Sequence, residues 1–143
     1  MPNDDRRDPA ALLPLTPAVL HILLALADGE KHGYAIMREI QERTGGAIRM
    51  GPGTLYGSIQ RMLKDELIAE ARDPLDRADH REPGRSEPGR SEPGRGEERR
   101  RYYRLTGFGA RVLRAEADRL EQLVRLARGK RVLPGLSSLE GTP

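Results

Sequence analysis

Three short segments in a fixed order constrain this chain more than anything else in it: KHGYAIMREIQ from Lys31, GPGTLYGSIQRMLKDELI from Gly51, and RRRYYRLT ending at Thr106. The first two have the residue spacing of helices and are joined through Gly45 and Gly46. The third is a basic, β-prone stretch in which Arg99, Arg100 and Arg101 precede Tyr102 and Tyr103. Two helices with a glycine connection, followed by a strand that returns onto them, are the order of a winged helix-turn-helix. The expected fold class is therefore mainly α with a small β-wing.

The middle segment carries most of the chemistry. Gly51, Pro52 and Gly53 form a breaker cluster, after which Thr54 opens a helix expected to run to about Glu66. Leu55, Ile59, Met62 and Leu63 recur at i, i+4, i+7 and i+8, the stripe a helix buries in a core. Thr54, Gly57, Ser58 and Arg61 recur on another face, with Tyr56 and Gln60 on its flanks. Small residues let a helix backbone approach a groove closely, and Ser, Thr, Gln and Arg bond base edges or phosphates. A solvated face is the plain alternative, but the breaker before it and the basic strand after it favour double-stranded DNA. Arg61 suits either a bidentate contact to guanine or a phosphate clamp.

With these residues in place, the chain resembles the PadR family of bacterial transcriptional regulators. The matching positions are His32, Gly33 and Tyr34; Pro52, Gly53, Thr54 and Tyr56; and Tyr102, Tyr103, Arg104, Leu105 and Thr106. The resemblance spans about Leu15 to Leu126 and implies a homodimeric repressor with a C-terminal dimerisation helix. The single terminal helix is like that of the smaller subgroup of the family. Tyr34 resembles a family residue that contacts the DNA backbone; a partly buried core tyrosine is the other reading. Members of that subgroup can hold hydrophobic small-molecule effectors at the dimer interface, sometimes between paired Trp residues. This chain has no Trp, which leaves Phe108 and the aliphatic faces of the first and last helices to line such a pocket.

Composition narrows the remaining choices. With 143 residues and 36% hydrophobic content, the chain holds one small domain and gains from burying apolar surface against a second copy. It has no Cys, which excludes disulfides and thiolate metal sites. The charged start from Asn3 to Asp8 lacks a signal-peptide core, and the apolar run Ala18 to Ala27 falls short of the roughly 20 residues of a membrane span. A cytoplasmic protein with no membrane contact is expected. His21, His32 and His80 make no metal-ligand spacing or catalytic triad, so neither an enzyme nor a cofactor is expected. The competing class is a winged-helix protein-interaction module without specific DNA binding.

Along the chain, residues 1–14 read as a flexible tail and 15–105 as the DNA-binding domain. Thr16 and Pro17 start a helix that runs to about Ala27 and is apolar around most of its circumference, so it must be buried on two sides. A second helix spans about Gly33 to Thr44. The wing strands are expected at Ile68 to Arg72 and Arg99 to Leu105. Between them, 73–98 carries three EPGR units and reads as a disordered wing insert, either a neutral spacer or a source of nonspecific affinity through Arg85, Arg90 and Arg95. The dimerisation helix is placed at 106–128, with Ala110, Leu113, Ala117, Leu120, Val124 and Ala127 forming a heptad seam. A flexible tail, 129–143, follows.

Candidate DNA contacts are Tyr34, Thr54, Tyr56, Ser58, Arg61, Arg99, Arg100 and Arg101. Candidate dimer contacts are Leu20, Leu24, Leu113, Ala117, Leu120 and Val124. The site expected to receive them is a palindromic operator, with the two helices about one DNA turn, roughly 34 Å, apart.

Overall fold

A computed structural model describes residues 7–72 and 101–135. The expected insert at 73–98 and parts of both tails, 1–6 and 136–143, lie outside them, as do Arg99 and Arg100.

Helix α1, Pro17–Leu26, starts as its sequence dictates: the Thr16 hydroxyl accepts a hydrogen bond from the Val19 N–H at 3.2 Å, and Pro17 occupies the first turn. It buries Ile22, Leu23, Ala25 and Leu26 and leaves Leu24 exposed. The next element, strand β1, Lys31–His32, was not expected, because two residues are too few to show alternation. It forms by pairing antiparallel with a strand some 70 positions later, Lys31 opposite Tyr103 and His32 opposite Tyr102. His32 then caps α2, Gly33–Arg43, its Nδ1 accepting from the Ala35 N–H at 3.1 Å. Ile36 and Ile40 face the core. The helix stops where Gly45 and Gly46 take φ values of 63° and 86°, a left-handed backbone that side chains disfavour.

Helix α3 covers Pro52–Lys64, and the chain turns through Glu66 at a φ of 61° into β2, Ile68–Arg72. Strand β3, Arg101–Leu105, pairs antiparallel with β2 from Ile68 opposite Leu105 to Arg72 opposite Arg101. The sheet order is β1–β3–β2, so β3 is central and its Tyr103, 1% exposed, is part of the hydrophobic core. Burial pushes the Tyr103 hydroxyl above its ordinary titration range.

Helix α4, Gly107–Gly129, is joined to the end of α3 at one point. The Thr106 hydroxyl accepts from the Gly109 N–H at 2.9 Å, capping α4, and donates to the carbonyls of Glu66 at 2.6 Å and Leu67 at 3.1 Å. Gly109 lies so close to Leu67 that a Cβ there would overlap its carbonyl oxygen. The first half of α4 buries Phe108, Val112 and Glu116; beyond Glu116 no described residue of the helix is buried. The seam read from the sequence is therefore split. Leu113 packs on its own domain's core, Ala110 and Ala117 are exposed, and Leu120, Val124 and Ala127 are half-buried.

The N-terminal tail also departs from expectation. Pro9–Leu12 form a 3-10 turn capped by Asp8, whose carboxylate accepts from the Ala10 N–H at 3.0 Å. A few residues on, the Leu15 N–H donates to Glu116 Oε2 at 3.1 Å. The polar, proline-rich composition does not reveal these partners, which lie on α4, about 100 positions away in sequence, and at the end of α3.

Glu116 is 1% exposed and is gripped by Arg119, Nε to Oε1 at 2.6 Å and Nη2 to Oε2 at 3.0 Å. The Arg119 bonds foremost, and the Leu15 N–H besides, hold its carboxyl below the usual carboxylate range despite burial.

Two predictions follow from these contacts. Gly109→Ala should lower stability by about 1–3 kcal/mol, since the overlap is with backbone, whereas Gly107→Ala, which meets nothing within 4 Å, should raise it by about 0.4–1 kcal/mol; urea unfolding of both variants checks the opposite signs. A carboxyl with a depressed folded pKa contributes stability above its unfolded value of about 4.3 and loses it as pH falls toward the folded value. The stability gap between wild type and Glu116→Gln should therefore narrow as unfolding is measured at successively lower pH below about 4.3.

Candidate nucleic-acid interface

Helix α3 has two faces of different chemistry. Inward it presents Leu55, Ser58, Ile59 and Met62, all buried, with Tyr56 and Leu63 packed at the margin. Outward it presents Pro52, Gly53, Thr54, Gly57, Gln60, Arg61 and Lys64, all exposed. The outer stripe runs 53, 57, 60, 61, 64, which is helical spacing along one side. Gly53 and Gly57 have open space where a Cβ would stand, so the backbone itself is the surface there. Gly51 offers no side-chain cap to the helix start, which leaves the first-turn N–H groups to solvent or to an anion. Arg61 and Lys64 lie at the other end of the stripe and have no ion-pair partner among the described residues.

Ser58 is the clearest correction to the sequence reading. At 2% exposure it cannot reach a groove. Position 58 is i+3 from Leu55 and i−4 from Met62, inside the apolar stripe, and geometry outweighs the polarity of one hydroxyl. Tyr56 is also turned inward. Its hydroxyl occupies the place a Cβ on Gly33 would need, so it joins the start of α3 to the start of α2. Lys64 was missed, although its spacing from Gln60 and Arg61 places it on the same side.

Tyr34 stands on the first turn of α2 and is 55% exposed, which rules out the core-tyrosine reading. His32 lies between the rings of Tyr34, 6.5 Å away and near-parallel, and Tyr102, 5.3 Å away and edge-on. The Arg38 guanidinium sits 5.9 Å from the Tyr34 ring. Arg101 is at the open end of the sheet, 3.7 Å from Glu70 on the neighbouring strand, so part of its charge is already matched. No described group of His, Cys, Asp or Glu has a metal-binding arrangement, and no described helix is long and apolar enough to cross a membrane.

Residues 22–82 match the family model described as the Transcriptional regulator PadR-like family. Over 106 residues, 74% of this chain and 78% of the relative, the sequence is 31% identical to Transcriptional regulator Rv3488 of Mycobacterium tuberculosis. The chain belongs to the PadR-like family. A 51-residue stretch is 45% identical to an uncharacterized 37.1 kDa transposon protein of Streptomyces fradiae, of whose length this chain spans 14%. Among solved structures, a PadR family transcription regulator from Clostridium difficile superposes with a TM-score of 0.56 at 20% identity, covering 80% of this chain and 97% of that one. Bacillus subtilis PadR, solved in complex with operator DNA, gives 0.50 at 19% identity, covering 71% of this chain and 46% of that one. At these identities the two structures speak for the fold. The PadR-like match takes in all of α2 and α3 and the second half of α1, and so includes the whole outward stripe.

Because Ser58 faces the core, Ser58→Ala should leave nucleic-acid affinity unchanged, within about twofold, and act only on stability, as expected of a residue away from the interface; paired thermal melts and duplex titrations of the variant check this.

Proposed function

We propose that this protein is a sequence-specific, homodimeric repressor that places α3 of each subunit into the major groove of a palindromic operator. The observation that carries the reading is the outward stripe of α3: two glycines that allow close approach, an uncapped helix start, and Thr54, Gln60, Arg61 and Lys64 as hydrogen-bonding and cationic groups. Thr54 and Arg61 stay as expected from the sequence, Gln60 and Lys64 join them, and Tyr56 serves to position the helix. Tyr34, with Arg38 over its ring, is suited to the phosphate backbone beside the groove, and Arg101 to the flank. Bacillus PadR, crystallised with operator DNA, is a relative in fold that supports the assignment.

Dimerisation is assigned to the second half of α4 together with α1. Leu123 is 48% and Leu126 55% exposed, and Leu24 on α1 is exposed as well. Apolar side chains on two helices of one small protein are best covered by their counterparts in a second copy. The half-buried Leu20, Leu120 and Val124 complete that face, with Ala117 allowing close approach. A hydrophobic small molecule that entered between these helices would shift the spacing of the two α3 helices and release the operator.

The test is a fluorescence-anisotropy titration of duplexes from upstream of the protein's own gene, against a scrambled duplex. Specific binding should exceed nonspecific binding by at least about a thousandfold and weaken steeply with salt; equal, weak binding to every duplex would favour a protein-interaction module. Arg61→Ala should reduce operator affinity by about 1–3 kcal/mol and relax the preference at one base pair if the side chain reads a base, or lower the salt slope by about one if it holds a phosphate. Gly57→Ala should raise stability by up to about 1 kcal/mol through helix propensity, while Gly57→Glu should abolish operator binding in a folded dimer; melts and titrations of the pair separate folding from docking.

A further inference from the structure

One set of contacts at the far end of α3 has no part in reading DNA directly. Arg7 Nη1 donates to the Asp65 carbonyl at 3.2 Å, and Arg7 Nη2 pairs with Glu66 Oε1 at 2.9 Å. The same guanidinium lies 3.9 Å from the centre of the buried Phe108 ring on α4. Arg111, also on α4, donates to the Arg7 carbonyl at 3.1 Å. Asp65 caps the C-terminal end of α3, where helix carbonyls lack partners and carry partial negative charge, so a guanidinium fork is well matched to it. The Asp8-capped turn then leads to Leu15, held by Glu116 on α4. Segment 7–15 is thus pinned to α4 at Arg111 and at Glu116, and its first residue reaches across to α3.

We propose that Arg7 is a positioning residue that fixes the orientation of α3 relative to α4, and with it the half-site spacing the dimer accepts. This rests on the DNA-binding reading above. Thr106 and Gly109 join α4 to the end of α3, and the shared core holds α3 from behind, which leaves small changes of its angle to the contacts at its C-terminal end. Helix α3 is about 20 Å long, so a pivot of about 5° would carry its N-terminal end by nearly 2 Å, enough to misplace a base contact. A second attachment beside the first removes that freedom. Glu66 is 66% exposed, so its ion pair with Arg7 adds little to overall stability. Its consequence is angular.

Arg7→Ala and Arg7→Lys would be compared with the full-length wild type by sedimentation equilibrium, melting, amide hydrogen exchange, and titration of the operator with its native spacing or with one base pair inserted or removed. Arg7→Ala should keep its dimerisation and lose at most a few degrees in melting temperature, while exchange at Asp65, Glu66 and Leu67 speeds up well beyond that at the rest of the core. Affinity for the native spacing should fall by about tenfold, and the penalty for the altered spacings should shrink. Arg7→Lys, which keeps the charge and loses the fork, should recover only part of the discrimination. Unchanged exchange overturns the proposal, as does an equal loss of affinity at all three spacings, which would mark Arg7 as a simple charge near DNA. Specific binding by the wild type with an unaltered spacing preference in Arg7→Ala overturns this inference alone; absence of any specific binding by the wild type overturns the DNA reading together with it.

Discussion

A single hydroxyl holds the architecture together. Thr106 follows β3, caps α4 through the Gly109 N–H, and donates to the carbonyls of Glu66 and Leu67 just past the end of α3. A chain that turns from helix to strand through a left-handed residue, Glu66, leaves carbonyls that must find donors in a small domain with little interior. The same atom that satisfies them also begins the long helix. Because Gly109 has no side chain, α4 can lie directly on the Leu67 backbone, so the end of one helix and the start of the next are in contact without intervening side chains. Every longer-range relation, including that between the outward face of α3 and the exposed half of α4, is measured from this junction.

The two faces of α3 show how a small domain supports an exposed working surface. Leu55, Ile59 and Met62 are fully or almost fully buried and hold the helix from behind. Tyr56 reaches sideways over Gly33, so the starts of α2 and α3 touch through one ring and one absent side chain. With the helix anchored on two sides, its third side can consist of backbone and a few polar groups without loosening the fold. The PadR-like family model covers this region, and the mutual fit of Gly33 and Tyr56 is a physical reason for both residue types in the motifs that carry the resemblance.

Much of this was legible beforehand wherever a local rule decides the outcome. Thr16 with Pro17, the Gly45–Gly46 stop, the Ile68–Arg72 strand and the cap at Thr106 each depend on neighbours within a few residues, and each lies where the local pattern places it. The misreadings share a different property. Ser58 was assigned by its chemistry, although its position in the 55–58–59–62 stripe is what turns it inward. Strand β1 exists only because β3 arrives beside it, and residues 7–15 lie where they do because Phe108, Arg111 and Glu116 are there to meet them. On α4 the heptad does not show that Phe108, Val112 and Leu113 pack on the domain's own core while Leu123 and Leu126 stay exposed.

The sequence by itself determined the helices, the caps at Thr16 and Thr106, the two wing strands and the family, because periodicity, breakers and motif residues act over short spans of chain; α3 starts at Pro52 rather than at Thr54, with no side-chain cap. Tertiary structure decided how the end of α3 is tied to α4, where residues 7–15 lie, and how α4 divides between its own domain and an exposed face. Those outcomes depend on contacts between residues 40 to 104 positions apart, such as Thr106 with Glu66 and Arg111 with Arg7. No local pattern encodes them, because the partner that supplies the missing donor or the covering ring is brought into place only when the whole chain has folded.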